Sequence, residues 1–307
     1  MNSNLKSKID LKIFDILSCP YCGNDLLRIK NGLKCSSCEE EYKDTKKGQF
    51  DLRLQKVKDY TLQFKLGNNF LQDKEVEFEV LKKNENSEID LTNIKIPRHL
   101  SEELISYFPK ANKNDFMLDL GCGRGIHRKI CEYIGYEYIG LDYESPTAQI
   151  LADAHAIPFK DNSFKFVLSI AVLEHIQYPF IMMREVHRIL KPGGFFIGTV
   201  AFLQSFHSRS FYHHSHLGVL NTLQYADLKI SKIAPSAQWS VLIALSKSLF
   251  PYLSLKISRF IVSPINLLHR IWWKISDYFN RSNTNYFSEK NRILYHTGFF
   301  SFIARKN

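Results

Sequence analysis

The sequence of 307 residues lacks a long uninterrupted hydrophobic run. Its most apolar late window, IAPSAQWSVLIALSKSLFPYLSL, is broken by Pro235, Lys247 and Pro251. It therefore falls short of the roughly 18 apolar residues that a membrane-spanning helix needs. The first residues, MNSNLKSKIDLKIFDILSC, have neither a continuous apolar segment nor a small-residue cleavage site, so they do not resemble a secretory signal. These features predict a cytoplasmic protein.

Acidic residues are scarce in the last third of the chain. Residues 201–307 contain 13 Lys and Arg but only 3 Asp and Glu, and this segment accounts for the net charge of +10. All 3 tryptophans and 6 of the 11 histidines also lie there. Basic residues interleaved with aromatic residues suit RNA, a phospholipid surface or a phosphorylated substrate. A basic solvated face above an aromatic core is an equally good interpretation.

Cysteine is also sparse, and four of the 6 cysteines fall between residues 19 and 38 as two C-x-x-C pairs. A disulfide framework is typical of small secreted domains, and a redox site needs only one pair. Two thiolate pairs separated by the hairpin signal Asn31-Gly32 are instead typical of a zinc ribbon. We predict a structural zinc ribbon over residues 1–58. Its expected ligands are Cys19, Cys22, Cys35 and Cys38.

Short apolar runs alternate with amphipathic helical patterns from Asp115 onward. The runs FMLDL, YEYIGLD, FKFVLSI and GGFFIGTV alternate with RKICEYIG, SPTAQILADA and IMMREVHRIL. This alternation predicts an α/β domain with a parallel sheet and crossover helices. Between the ribbon and this domain we expect a helical linker over residues 59–110.

A glycine-rich loop follows the first of these strands. FMLDLGCGRG ends a strand at Asp119 and continues in the G-x-G-x-G spacing, unlike the G-x-G-x-x-G of dinucleotide folds. Glycine lets the backbone turn tightly and approach a ligand closely. Asp142 ends the second strand and is placed to accept hydrogen bonds from a ribose, whereas Asp153 is placed to meet an adenine amino group. The loop glycines are Gly121, Gly123 and Gly125.

The blocks LDLGCGRG, GLDYE, ADAHAIPF, FKFVLSIAVLEHI and EVHRILKPGGFFIGTV closely resemble class I S-adenosylmethionine-dependent methyltransferases of the methyltransferase-11 type. The resemblance covers roughly residues 100–200. It implies a Rossmann-like, seven-stranded methyltransferase sheet in a domain over residues 111–307. It also implies S-adenosyl-L-methionine as the cofactor. The residues implied at the cofactor are Asp119, Gly121, Gly123, Gly125, Asp142, Tyr143, Asp153, Ala154, Ser169, Ile170 and Ala171.

The candidate catalytic residues are histidines. A His-rich segment, FLQSFHSRSFYHHSH, follows the strand run GGFFIGTV, and LEHI places His175 beside Glu174. A histidine that titrates near neutral pH suits removal of a proton from an acceptor hydroxyl. In the family that the sequence resembles, the Glu174-His175 pair more often shapes a loop. The candidates are His207, His213 and His175.

A long insertion over residues 236–290 precedes the expected last strand. Ser263-Pro264 has the pattern of a helix start, and basic and apolar stripes flank it. We expect the insertion to form a helical lid with its apolar face buried over the active site. Contact of residues 247–279 with an anionic membrane surface, as a peripheral protein, is the alternative.

Together these features predict an S-adenosylmethionine-dependent methyltransferase that methylates an oxygen of a small-molecule, glycan or lipid-linked acceptor. The ribbon also resembles that of bacterial guanine-N1 methyltransferases of ribosomal RNA and small zinc-binding activator subunits. An RNA methyltransferase is therefore the alternative, and a non-catalytic cofactor-binding scaffold is the third reading. The sequence leaves the oligomeric state open.

Overall fold

The computed structural model describes residues 12–64, 76, 78–204, 209–236, 239–279 and 288–307. The strands in this part are β1 (Leu26–Ile29), β2 (Gly32–Cys35), β3 (Glu41–Lys43), β4 (Phe50–Asp51), β5 (Phe116–Leu120), β6 (Glu137–Asp142), β7 (Ile150–Leu151), β8 (Phe164–Ile170), β9 (Leu190–Ala201), β10 (Leu228–Pro235) and β11 (Phe299–Lys306). The helices are α1 (12–16), α2 (Glu102–Ile105), α3 (Arg128–Tyr133), α4 (Pro179–Ile189), α5 (His216–Gln224), α6 (Val241–Leu249), α7 (Leu255–Phe279) and α8 (Glu289–His296).

A small antiparallel sheet of order β1-β2-β3 forms the N-terminal ribbon. The hairpin between β1 and β2 closes at the pair Ile29 and Gly32, which confirms the expected hairpin. A Cβ on Gly32 would lie 1.9 Å from the Tyr42 carbonyl oxygen of β3, so only glycine fits there.

The large sheet has the order β10-β11-β9-β8-β5-β6-β7-β4 in the described residues. From β9 to β4 all neighbours pair in parallel, and only β11 runs antiparallel to both of its neighbours. Crossover helices make such a sheet possible because parallel strands cannot be joined by tight turns. The predicted α/β, Rossmann-like methyltransferase fold is confirmed. One strand more than the seven expected is present, because β4 extends the edge beside β7.

The ribbon shares its hydrophobic core with the large sheet. One buried hydrophobic cluster contains Leu17, Leu33 and Leu52 of the N-terminal segment together with Ile150 and other residues of the large sheet. The backbone continues the link, since the Leu52 N–H donates to the Leu151 carbonyl at 2.8 Å. The segment predicted as a separate ribbon domain, residues 1–58, is therefore joined to the large sheet through its tail.

The segment predicted as a helical linker, residues 59–110, is mostly irregular where it is described. Its one helix there is α2, a single turn that Ser101 caps by accepting a hydrogen bond from the Leu104 N–H. Asn, Ser and Asp side chains bond the nearby backbone instead, as Asp90 does at the N–H of Thr92. Such local bonds compete with a helix, which is why the helical reading differs from the structure.

SPTAQILADA, predicted as a helix, contains the short strand β7 instead. Asp142 accepts hydrogen bonds from the N–H groups of Glu144 and Ser145, and this forms a tight turn where a helix was expected. Ile150 and Leu151 are then buried between β6 and β4. The pairing of β7 with β6 on one side and β4 on the other outweighs the local helical pattern.

The insertion between β10 and β11 contains α6, α7 and α8. Pro264 lies inside α7 rather than at a helix start, which corrects the prediction for Ser263-Pro264. Proline removes the hydrogen bond to the Phe260 carbonyl, and this is tolerated because Phe260 is exposed and water can replace the donor. Within the described residues, no helix is both long and apolar enough to cross a membrane.

The junction between ribbon and sheet can be tested at Leu52. Leu52→Ala removes a fully buried side chain, and we expect a loss of about 2–5 kcal/mol in the free energy of unfolding. Urea unfolding followed by circular dichroism measures this loss. Val57→Ala, at a nearby residue that is 90% exposed, is the matched control and should change stability by less than about 0.5 kcal/mol. Equal effects of the two substitutions would contradict the shared core.

Candidate functional site

Four thiols meet at one end of the ribbon. The sulfur atoms of Cys19, Cys22, Cys35 and Cys38 all lie within 4.8 Å of one another. Neighbouring pairs are closer, with Cys22 to Cys35 at 3.4 Å and Cys19 to Cys38 at 3.6 Å. Tetrahedral zinc with Zn–S bonds of about 2.3 Å needs sulfurs about 3.8 Å apart. The set therefore fits a closed, structural zinc site, with no position for a reacting water.

Backbone and side-chain N–H groups point at this cluster. The N–H groups of Ser37 and Cys38 approach the sulfur of Cys35 at 3.4 and 3.5 Å. The Asn24 amide donates to the sulfur of Cys22 at 3.4 Å. Donors of this kind stabilise metal-bound thiolates.

The glycine loop turns at the carboxyl end of β5. Gly121, Gly123 and Gly125 have φ values of 74°, 51° and 65°, a left-handed conformation that glycine adopts without strain. A Cβ on Gly121 would lie 2.4 Å from Val172 Cγ2, whereas one on Gly123 would meet nothing within 4 Å. The loop thus packs against the chain after β8 on one side and faces open space on the other.

Asp119 lies beneath this loop and is completely buried. Its Oδ2 accepts hydrogen bonds from the Tyr138 hydroxyl at 2.7 Å and from His127 Nδ1 at 3.3 Å. Its Oδ1 has no hydrogen-bond partner among the described residues, and neither does His127 Nε2. A buried carboxylate oxygen without a donor is costly, so this position suits a ligand that brings one.

Asp142 ends β6 and joins the two neighbouring loops. Its Oδ2 accepts a hydrogen bond from the Gly123 N–H at 2.9 Å, and its Oδ1 accepts from the N–H groups of Glu144 and Ser145. The next residue, Tyr143, is 55% exposed at the mouth of the site. Sequence reasoning placed Asp142 at a ribose and Tyr143 at the cofactor, and Asp142 lies beside the glycine loop.

The tail of the ribbon supports the loop after Asp142. The Gln49 amide donates to the carbonyls of Ser145 and Ala148 at 3.1 and 2.6 Å. The Arg53 guanidinium lies 5.7 Å from the centre of the Tyr143 ring. Sequence reasoning missed Gln49 and Arg53, because nothing in a local motif indicates that the ribbon reaches this edge.

Asp153 and His155 form a fixed pair after β7. His155 Nδ1 donates to Asp153 Oδ1 at 2.6 Å, and His155 Nε2 accepts from the Tyr178 N–H at 3.1 Å. Burial favours the neutral acid, yet the hydrogen bonds from His155 outweigh it and hold the pKa of Asp153 below its ordinary value. Ala154 is half-buried beside them. Asp153 therefore stays a carboxylate, as an acceptor for an amino group must.

The chain leaves β8 through Ser169, Ile170 and Ala171. Ser169 and Ile170 are buried, and Ala171 has a φ of 55°, which is uncommon for a residue with a Cβ. The Ala171 N–H donates to the carbonyl of Thr199 at 3.0 Å and to its hydroxyl at 3.2 Å, so β9 holds this bend. The bend faces the same edge of the sheet as the glycine loop, because β5 and β8 pair in parallel.

Comparison with known proteins identifies this region. A family described as Methyltransferase domain matches residues 118–198, which run from β5 into β9. The matched segment includes the glycine loop, Asp142, Asp153 and the bend at Ala171.

Curated relatives of the methyltransferase domain have different names. Arginine-hydroxylase NDUFAF5, mitochondrial, from Homo sapiens is 33% identical over 144 residues, covering 42% of this chain and 37% of that protein. Ubiquinone biosynthesis O-methyltransferase from Ruegeria pomeroyi is 32% identical over 93 residues, covering 25% and 38%. Sterol 24-C-methyltransferase from Schizosaccharomyces pombe is 30% identical over 119 residues, covering 33% and 31%. The chain spans less than half the length of these relatives.

Solved structures similar to this chain include a SAM-dependent methyltransferase from Archaeoglobus fulgidus. The TM-score is 0.45 at 19% identity, with 66% of this chain and 91% of that chain covered. Phosphoethanolamine N-methyltransferase 2 from Haemonchus contortus, in complex with S-adenosyl-L-methionine, has a TM-score of 0.42 at 16% identity, covering 66% and 51%.

The histidines proposed as catalytic lie in different surroundings. His175 is half-buried, and its Nδ1 is 3.1 Å from the Arg209 carbonyl oxygen, to which it can donate. His213 is exposed on the loop before α5, and His207 lies outside the described residues. The adjacent His214 is buried, and burial lowers its pKa. Glu174 is fully buried, and burial raises its pKa; one carboxylate oxygen accepts from the Ala201 N–H at 3.3 Å.

A cleft of about 220 Å³ opens near the carboxyl end of β9. It lies between residues 80–104, the carboxyl ends of β9 and β10, and the first turn of α7. Thr199, which accepts hydrogen bonds from the Ala171 N–H, is one of its lining residues. The charged and histidine residues in its wall are Arg98, His99, Glu103, Lys247 and Arg259. Partial desolvation by the surrounding protein, together with Arg98 and His127, lowers the pKa of His99, which favours the neutral imidazole.

The thiol cluster predicts bound zinc. Purified protein should contain about one zinc ion per chain, since four thiolates complete a tetrahedral site. The double substitution Cys22→Ser and Cys38→Ser should abolish this content, as measured by inductively coupled plasma mass spectrometry. Cys122→Ser, at a buried cysteine in the glycine loop, is the control and should keep the metal. Unchanged zinc in the double variant would contradict the assignment.

Proposed function

We propose that this chain is an S-adenosylmethionine-dependent methyltransferase. The observation that supports this best is the buried Asp119 Oδ1, which lacks a donor among the described residues and lies beneath a glycine turn. The ammonium group of a methionine moiety is such a donor. A buried acceptor that gains a charged donor regains what its desolvation cost.

The remaining residues suit the other parts of the same cofactor. Asp142 and Tyr143 would hold the ribose, and Asp153 with Ala154 would hold the adenine. Ser169, Ile170 and Ala171 would line the methionine side. When bound, the cofactor supplies a methyl group on an electrophilic sulfonium. The protein's part is to align and desolvate the acceptor, since little covalent chemistry is needed from side chains.

The cleft near the carboxyl end of β9 is the proposed acceptor site. Three cationic side chains line it, Arg98, Lys247 and Arg259, against one carboxylate, Glu103. This balance favours a small-molecule, glycan or lipid-linked acceptor that carries a phosphate or carboxylate. The neutral imidazole of His99 in this wall can take the proton of an acceptor hydroxyl during O-methylation. His175 and His213 stay candidates for the same role.

Cofactor binding provides the first test. Asp142→Ala removes hydrogen-bond acceptors from the ribose, and we expect the affinity for S-adenosylmethionine to fall roughly tenfold to hundredfold, since bonds of this type are worth about 1.5–3 kcal/mol. Isothermal titration calorimetry measures it. Asp59→Ala, at an exposed aspartate in the irregular segment after the ribbon, is the control and should bind normally. No binding by the unmodified chain would overturn the proposal.

The acceptor class is tested by methyl transfer from labelled S-adenosylmethionine into fractionated extract of the host cell. We expect label in the small-molecule, glycan or lipid fraction. Label in the RNA fraction, if ribonuclease treatment releases it, would instead support the RNA methyltransferase. Cofactor binding with no label in any fraction would support a non-catalytic scaffold.

Arg98→Ala should raise the KM for an anionic acceptor and leave the affinity for the cofactor unchanged, because Arg98 lines the proposed acceptor cleft.

A further inference from the structure

Helix α7 contacts the protein through its more polar side. Its buried or half-buried residues recur every three or four positions, which defines a single stripe along the helix. Most side chains in this stripe are polar or aromatic heterocycles rather than aliphatic. The stripe includes Ser258, Val262, Asn266, His269, Trp273 and Ser276.

The most apolar side of α7 faces away from the protein. Phe260, Trp272 and Phe279 are 81%, 66% and 74% exposed. At 3.6 residues per turn, the exposed apolar residues of the helix occupy an arc of about 160°. A surface helix normally buries such a face against the core. The expected lid with a buried apolar face is therefore not what the described residues form: only the first turn of α7 reaches the cleft, through Leu255 and Arg259.

Positive charge borders this apolar arc. The four cationic residues of α7 fall in one row between the protein-facing stripe and the apolar arc. The wider segment 239–279 carries five Lys and Arg and a single acidic residue, Asp277. The row consists of Lys256, Arg259, Arg270 and Lys274.

We propose that α7 lies in the plane of an anionic phospholipid surface. Its apolar arc would enter the boundary between headgroups and acyl chains, and its basic row would contact lipid phosphates. Trp272 and Tyr278 suit this boundary because each combines an apolar ring with a polar group. The absence of a membrane-spanning helix in the described residues agrees with a helix that lies on the bilayer rather than crosses it.

The turn that leads into α7 extends the exposed apolar surface. Leu249, Phe250 and Tyr252 are all more than half exposed there. Isolated exposed apolar residues are common, but a continuous surface of this size on a monomer indicates an interaction site.

Charge and composition favour lipid over two other partners. A second copy of this chain would bring the same excess of positive charge, so contact between copies would be repulsive. RNA would be contacted through basic and aromatic residues, but the exposed arc is largely aliphatic, with Ile257, Leu268 and Ile275 at its centre. An anionic bilayer matches both the aliphatic arc and the basic row.

The position of α7 also bears on the acceptor. Because Leu255 and Arg259 line the cleft, a docked α7 would hold the cleft close to the lipid headgroups. A lipid-linked acceptor could then reach the methyltransferase site without leaving the membrane. This step rests on the proposed function, whereas the docking itself does not.

Vesicle co-sedimentation of the full chain, without cofactor, tests the docking. We expect binding to vesicles of phosphatidylcholine with phosphatidylglycerol, and much weaker binding to phosphatidylcholine alone. Phe260→Ser, Leu268→Ser and Trp272→Ser together should weaken binding by roughly a hundredfold or more, since each removes a large apolar group that would enter the bilayer. Lys256→Ala with Lys274→Ala should weaken it by roughly tenfold and reduce its dependence on salt.

Matched controls come from the exposed surface of the ribbon. Leu27→Ser with Val57→Ser, at side chains that are 55% and 90% exposed, and Lys46→Ala with Lys47→Ala should bind like the unmodified chain. Binding equal in all variants, or no vesicle binding at all, would overturn the proposal. The proposal would also be overturned if the only effect of the α7 substitutions were the loss of a dimer, measured by light scattering, or the loss of RNA binding. Failure of cofactor binding would leave this result unaffected, so the two proposals can fail separately.

Discussion

The parallel pairing of β5, β6, β7 and β8 is the constraint on which the site depends. Parallel strands need crossover connections, so all their carboxyl ends lie at one edge of the sheet. Asp119, Asp142 and the bend at Ala171 are distant in sequence but meet at this edge because their strands end there. The glycine turn completes the edge, since its left-handed backbone brings the chain back across the strand tips.

The ribbon contributes to this edge rather than standing apart from it. Its tail adds β4 to the sheet in parallel, and Gln49 and Arg53 support the loop after Asp142. The thiol cluster holds the other end of the same short segment. A metal that folds the ribbon would thereby also order a loop of the proposed cofactor site, because the two share a hydrophobic core.

The insertion shows a different balance of forces. Within a soluble domain, apolar residues are buried because water is the only alternative. In α7 the polar stripe packs on the protein and the apolar arc is left exposed, which fits the proposed docking to lipid. The cleft at the first turn of α7 links this surface to the carboxyl end of β9, so the proposed acceptor site and the proposed docking surface share one element.

Local patterns in the sequence determined β5, β6, β8 and β9, the glycine turn and the clustering of the four cysteines. Each of these rests on residues close together in the chain, such as the G-x-G-x-G spacing or the Asn31-Gly32 hairpin signal. Tertiary structure decided that SPTAQILADA contains a strand, that Pro264 lies within a helix and that the linker is mostly irregular. It also placed Gln49, His127 and Thr199 around the site and turned the apolar arc of α7 outward. These outcomes depend on which distant segment packs against each residue, and that choice is made by burial in the folded core rather than by neighbours along the chain.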